Sequence, residues 1–255
     1  AAPAVAGIAL TALGNAAAEY WDRASTVTVQ LLQGSLASCT ELELLGGANA
    51  VLVGGELIQF QTAVLLGPGY YRLSNLLRGR KGTEDGIAAH NPGEDFVLLN
   101  GATLRFLPLR ADDRGRGYDY RAVSLGFNLG DVPDVHVTVN LRSLQPLAPA
   151  QLRGTRSAGG GSDLALSWVR RARLDAEWVD YVDVPLDEAA ELYDLEILDG
   201  LGAVVRSVVG LGSPVYNYSA AQQSADFGVI PATYSVRVYQ VSARYGRGVA
   251  AAAVI

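Results

Sequence analysis

The chain has 255 residues but only one cysteine, two histidines and no methionine, and Lys81 is its only lysine. The single Cys39 excludes an internal disulfide and the multi-cysteine zinc and iron–sulfur patterns. With His90 and His136 as the only imidazoles, a metal site built within the chain would rest on carboxylates. No catalytic, cofactor-binding or metal-ligating residue is assigned. No stretch approaches the roughly 18 apolar residues of a membrane helix. The opening "AAPAVAGIALTALGNAAAEYW" lacks a basic start and a cleavage site, so it reads as a strand or linker rather than a signal peptide. The absence of methionine, position 1 included, predicts a longer parent polypeptide of which this is a piece or a processed product.

What is present is 49% hydrophobic and 18% charged, enough for one large core or two ordinary ones. A net charge of −6 argues against generic nucleic-acid binding, which draws on a surplus of basic residues. The basic residues are nearly all arginine, which suits bidentate and stacked contacts at interfaces; a GC-rich genome gives the same skew.

Apolar and polar residues alternate with period two. Val27, Val29 and Leu31 enclose Thr28 and Gln30; Val135, Val137, Val139 and Leu141 alternate with His136, Thr138 and Asn140. The pattern returns in Leu164, Leu166 and Trp168, in Tyr193, Leu195 and Ile197, and in Tyr234, Val236 and Val238. These predict half-buried strands and an all-β fold, with short helices at 186–192 and 219–225. Pro146, Pro149 and the Gly159–Gly161 run predict a division at about residue 146, giving a β-barrel or sandwich domain over 1–146 and a second domain over 147–255.

The second half resembles a fibronectin type III domain. The likeness rests on the inward Trp168, on Pro231 followed by Tyr234, Val236 and Val238, and on a hairpin closed near Gly246. It implies a structural role for Trp168 and a tyrosine-corner role for Tyr234, its hydroxyl bonded to nearby backbone. The segment from Arg171 to Glu191 is longer than the family's usual connection and offers a place for partner contacts.

The residues that could carry chemistry resolve mostly into bland readings. The basic knot Arg78-Gly79-Arg80-Lys81-Gly82-Thr83 lacks the Gly-Lys-Ser/Thr order of a phosphate loop, and Glu84, Asp85, Glu94 and Asp95 offset its charge. It reads as a solvated or interface turn. There is no Gly-x-Ser-x-Gly elbow. Cys39 reads as a small buried residue, and His90 as a turn residue bonded to backbone. The acids Asp112, Asp113, Asp187, Glu188 and Glu191 read as solvated faces, since neighbours on a strand point to opposite sides. Asn217-Tyr218-Ser219 fits a glycosylation triplet, too short to be specific. Trp178, Tyr181, Tyr216 and Tyr218 read as exposed aromatics, with core or interface roles preferred over a sugar platform; Trp178 and Tyr181 are the surface-contact candidates.

From Trp21 onward the chain resembles the tail-tip proteins of long-tailed phages and gene transfer agents, a family called host specificity protein, baseplate megatron or central tail hub. The residues carrying the resemblance are Trp21-Asp22-Arg23, "LAS" at 36–38, "GAN" at 47–49, Glu56, Gln59-Phe60, "LSNLLRGRKGTE" from Leu73 to Glu84, His90 and Gly93-Glu94. The resemblance implies a virion protein of the tail tip, a hub of three copies, and fibronectin-like modules directed at the host surface. It implies contacts with other tail-tip proteins and with a host glycan or protein, indirect membrane contact, and no specific nucleic-acid site. Arg78 and Arg80 are then expected to form salt bridges or backbone contacts within the hub or across a subunit boundary. Gly79 and Gly82 would supply backbone angles closed to other residues. A reading from another class is a secreted carbohydrate-binding or glycosidase-accessory module.

Overall fold

The computed structural model describes residues 3–87, 90–105, 107–156, 163–173 and 181–255. It is all-β, with a closed barrel and a two-sheet sandwich. Ala1–Leu104 with Gln145–Ile255 form one compact unit, and Arg105–Leu144 form another.

The barrel is built from β1 (Ala6–Ala9), β2 (Trp21–Leu31), β3 (Ala50–Val53), β4 (Glu56–Gly67), β5 (Tyr70–Leu77) and β6 (Asp95–Leu98), with the short helix α1 (Glu41–Leu45) between β2 and β3. Every neighbour is antiparallel, in the closed order β1-β2-β5-β4-β3-β6. The expected period-two face of β2 points inward: Val27, Val29 and Leu31 join Val51, Val53, Ile58, Phe60, Leu73 and Phe96 in the core. Closing the barrel leaves little room at β1, where a Cβ on Gly7 would sit 2.0 Å from the Gln30 carbonyl oxygen. The strands on either side of the basic knot, β5 and β6, both belong to the barrel but do not pair with each other.

The β2–β5 ladder carries a bulge. Asp22 faces Leu76 and Thr26 faces Ser74, so β2 holds two more residues than its partner over this interval. The Ser25 amide closes the bulge by donating to the Asp22 carboxylate at 2.9 Å.

Among the described residues of 105–144 the one strand ladder is that of β7 (Gly117–Tyr120) with β8 (Val135–Thr138), beside short 3-10 turns such as Ala111–Asp113. Of the expected apolar face of Val135, Val137, Val139 and Leu141, only Val139 is buried. All four residues of β8 are exposed, the strand stops before Val139, and Leu141 takes a φ of 50°. A two-stranded ladder supplies no second layer for such a face within this unit.

The sandwich sets β9 (Ala150–Arg156), β10 (Leu164–Val169) and β13 (Val215–Tyr218) against β11 (Tyr193–Leu198), β12 (Val204–Leu211), β14 (Ser235–Ser242) and β15 (Gly246–Val254). Its core joins Leu164, Leu166 and Trp168 of one sheet to Tyr193, Leu195, Ile197, Val236 and Val238 of the other. Trp168 meets Tyr193 edge to face at 5.3 Å, the arrangement favoured by the ring quadrupoles. The 219–225 helix is present as α2 (Ala220–Phe227), started by a Ser219–Gln222 capping box. The 186–192 helix is absent: Asp187 and Glu188 bind the Arg173 amide and the Ser242 hydroxyl instead, which ties this segment down as a loop.

Tyr234 is buried, but its hydroxyl donates to the side chain of Gln223 at 2.7 Å rather than to backbone. Gln223, fully buried, passes the connection on to the Tyr218 carbonyl oxygen at 2.7 Å. The helix α2 inserts this amide where the sequence reading placed main chain. Tyr218 itself is buried, not exposed, packed edge to face on Tyr234 at 5.6 Å. Among the described residues no helix is long and apolar enough to cross a membrane.

Candidate functional site

The start of β2, the starts of β4 and β6, and the end of β5 meet at one end of the barrel. Their terminal residues, Asp22, Glu56, Glu94 and Arg78, assemble there with His90 into a buried polar network. Arg78 is completely inaccessible. Its Nε and Nη2 donate to the two oxygens of Glu56 at 2.9 and 2.8 Å, a bidentate pair. Nη1 reaches the Gly14 carbonyl oxygen at 3.0 Å and Asp22 at 3.3 Å. The Gly79 amide adds a 2.6 Å bond to Glu56.

His90 extends the network to the surface. Its Nε2 lies 2.8 Å from Glu56 and its Nδ1 2.6 Å from Glu94. Both ring nitrogens therefore face carboxylate oxygens. Ionised carboxylates only accept, so each of these bonds is made where the facing ring nitrogen carries the proton. The second oxygen of Glu94 accepts the Asn91 amide at 3.0 Å. His90 is thus bound to two side chains, correcting the expectation of a backbone-bonded turn residue; it also joins Leu13 through paired backbone bonds.

Burial pushes the Asp22 pKa upward, but the Ser25 amide and hydroxyl together with Arg78 outweigh it and hold the group below its ordinary value. Glu94 shows the same balance: partial burial raises its pKa, and the Asn91 amide and His90 lower it further than burial lifts it.

The rest of the knot braces this centre. Gly79 has a φ of 59°, and a Cβ there would meet the end of the Ile87 side chain at 2.7 Å and the Glu84 Cα at 3.0 Å, so both backbone angle and space favour glycine. Gly82, at φ 84°, also takes the left-handed conformation. Arg80 donates to Gln59 at 2.9 Å, and Gln59 in turn donates to the Leu44 and Ala48 carbonyl oxygens at 2.6 and 2.9 Å. Burial, then the charge of Arg171, pulls the Arg80 pKa down, with Glu84 opposing. Thr83 accepts the Leu57 amide at 3.0 Å and donates to the Arg80 carbonyl oxygen at 2.8 Å. The knot is therefore a folded-in plug, not a solvated turn. The expected intramolecular salt bridges of Arg78 exist, and their partners are Glu56 and Asp22.

The other candidates stand apart from this centre. Trp168 and Tyr234 belong to the sandwich core. Tyr181 is fully exposed with a φ of 63°, and Trp178 lies outside the described residues. Cys39 is half-buried rather than buried, its Sγ 3.8 Å from the Phe60 carbonyl oxygen, and burial raises its thiol pKa. Asp113 is also not a solvated group: it is buried and accepts the Arg110 amide and the Tyr118 hydroxyl. Glu191 accepts the Tyr193 hydroxyl. Among the described residues no group of three or more His, Cys, Asp or Glu side chains is arranged to hold a metal ion.

Periodicity and motif spacing did not single out Glu56 and Asp22 as partners of Arg78, or Glu94 as a partner of His90. The available signal was a carboxylate opening the otherwise apolar "ELIQF" after Gly54-Gly55. A charge placed at the start of a barrel strand needs a buried counter-charge, and the pairing spans 22 residues of sequence. No curated protein sequence matches the chain. Residues 4–97, which run from the approach to β1 into β6 and contain the whole network, match the model of a family described as Rcc01698-like, C-terminal.

Proposed function

We propose that this chain is a structural and host-attachment component of the tail tip of a long-tailed phage or gene transfer agent, and that it works without catalysis of its own. The observation that carries this reading is where the resemblance-bearing residues lie. Asp22, Glu56, Arg78, His90 and Glu94 form one buried network, and Gln59, Arg80 and Thr83 brace it. The motif is thus spent on architecture. Its polar groups are consumed by one another, which rigidifies the barrel end and keeps the 78–94 connection against it.

In this reading three copies surround the tail axis, the barrel serves the hub, and the fibronectin-like sandwich carries contacts outward to other tail-tip proteins or to a host glycan or protein. The fully exposed Tyr181 favours one alternative, an accessory module that stacks a ring on sugar. Light scattering on this chain separates the two. A trimer, seen also as a threefold ring by microscopy, is expected. A monomer, with glycan binding lost in Tyr181→Ala, would replace the tail-tip reading with the accessory one.

A further inference from the structure

The strand β15 forms the outer edge of the four-stranded sheet, and among the described residues β14 is the one strand paired with it. Tyr234 and Ile255 exchange both backbone bonds, at 2.7 and 2.9 Å. Counting back along the register, the same alternation makes Ala253 and Ala251 the bonded partners of Val236 and Val238. The N–H and C=O groups of Ala250 and Ala252 therefore point away from β14, where no described strand pairs with them. Edge strands are ordinarily blunted by charge, proline or a covering segment. The run Gly248–Ile255, "GVAAAAVI", has neither charge nor proline. The chain leading into and along β9 covers only its two ends, where the Val249 amide donates to the Pro146 carbonyl oxygen at 3.2 Å and Ile255 lies against Gly154. Between those ends the four alanines let another backbone approach closely.

A second observation, on a different element, indicates what would lie there. Ala250–Ala253 line an open crevice of about 640 Å³ that is also lined by Ala148, Glu19, Glu84 and Arg171. The Glu84 side chain is only 7% exposed, and Arg171 binds its Oε1 at 2.9 Å. Its Oε2 is buried, and among the described residues it has no hydrogen-bond partner. A buried carboxylate oxygen left without a donor is costly, and an incoming cationic donor removes that cost.

We propose that this crevice receives an extended segment of a partner protein, which adds a strand to β15 through Ala250 and Ala252 and presents a lysine or arginine to Glu84. The backbone ladder supplies affinity, and the buried carboxylate, with Glu19 in the same crevice, selects a basic side chain over an acidic one.

The test uses the isotope-labelled full chain with two blocked hexapeptides, Val-Thr-Lys-Val-Thr-Val and its glutamate counterpart. The lysine peptide is expected to slow hydrogen exchange at the Ala250 and Ala252 amides about tenfold or more and to bind about tenfold tighter than the glutamate peptide. Glu84→Gln should erase that preference while keeping amide protection. Ala252→Pro, which removes one outward donor at an edge that tolerates proline, should abolish binding. The exchange measurement on the unaltered chain stands even where a variant misfolds. Absence of protection at both amides, equal affinity for the two peptides, or self-association through β15 that neither peptide displaces would each overturn the proposal.

Discussion

Arg78 and Glu56 face each other as a fork on a fork, with bonds of 2.9 and 2.8 Å and neither side chain exposed to solvent. Their geometry pins the end of β5 to the start of β4, and through His90 it also pins the approach to β6. Removing one partner strands a charge in the interior. Arg78→Ala or Glu56→Ala is expected to cost about 3–5 kcal/mol in urea unfolding, whereas Arg78→Met with Glu56→Leu should cost less than either alone. Equal losses in all three variants would mean that the pair contributes by volume rather than by charge.

Acid should loosen this end of the barrel. Asp22 and Glu94 both have folded-state pKa values held below their ordinary ones. Each therefore contributes stability that is present above the unfolded pKa, at about pH 4, and lost as pH falls through the lower folded value. The unfolding midpoint is expected to drop on acidification below about pH 4. Asp22→Asn and Glu94→Gln should flatten that limb while lowering stability at neutral pH. An unchanged acid limb in both variants would assign it to other carboxylates such as Asp226, whose pKa is lowered by Arg206 and Tyr218 against the effect of burial.

Gly79→Ala tests the plug directly. The new Cβ would demand a φ of 59° and an approach of 2.7 Å to Ile87. A loss of about 1–3 kcal/mol is expected, with faster proteolysis between Arg80 and Glu94. Wild-type stability and wild-type cleavage would show that the connection moves aside freely.

In the sandwich, Tyr234→Phe keeps the ring against Tyr218 and Phe227 and removes only the hydroxyl bond to Gln223. Because Arg156 also approaches Gln223, at 3.4 Å, the expected cost is about 1 kcal/mol. Tyr234→Ala removes the ring as well and should cost about 3–5 kcal/mol, measured by the same unfolding curves. A ratio near unity would make the hydroxyl, not the ring, the source of the tyrosine's contribution.

Local sequence pattern determined the strands whose one face meets a core, because apolar side chains two residues apart can bury only on a pleated strand. Val27, Val29 and Leu31 in β2 and Val236 and Val238 in β14 were readable this way; the short helix at 219–225 was also expected, while its Ser219 cap came to light only in the structure. The same pattern misled at Val135 and Val137, since alternation states which side would be buried, not whether anything lies there. The basic knot shows the other limit. Its composition made it look like a solvated turn, and the nearby acids Glu84, Asp85 and Asp95 looked like its counter-charges. Barrel closure decided otherwise: it brought Asp22 and Glu56, distant in sequence, to the same strand-end layer as Arg78 and His90, where low polarity makes each charge require the others. Strand order and register set those meetings, and they depend on which edges join around the barrel, a property of the assembled sheet rather than of any one segment.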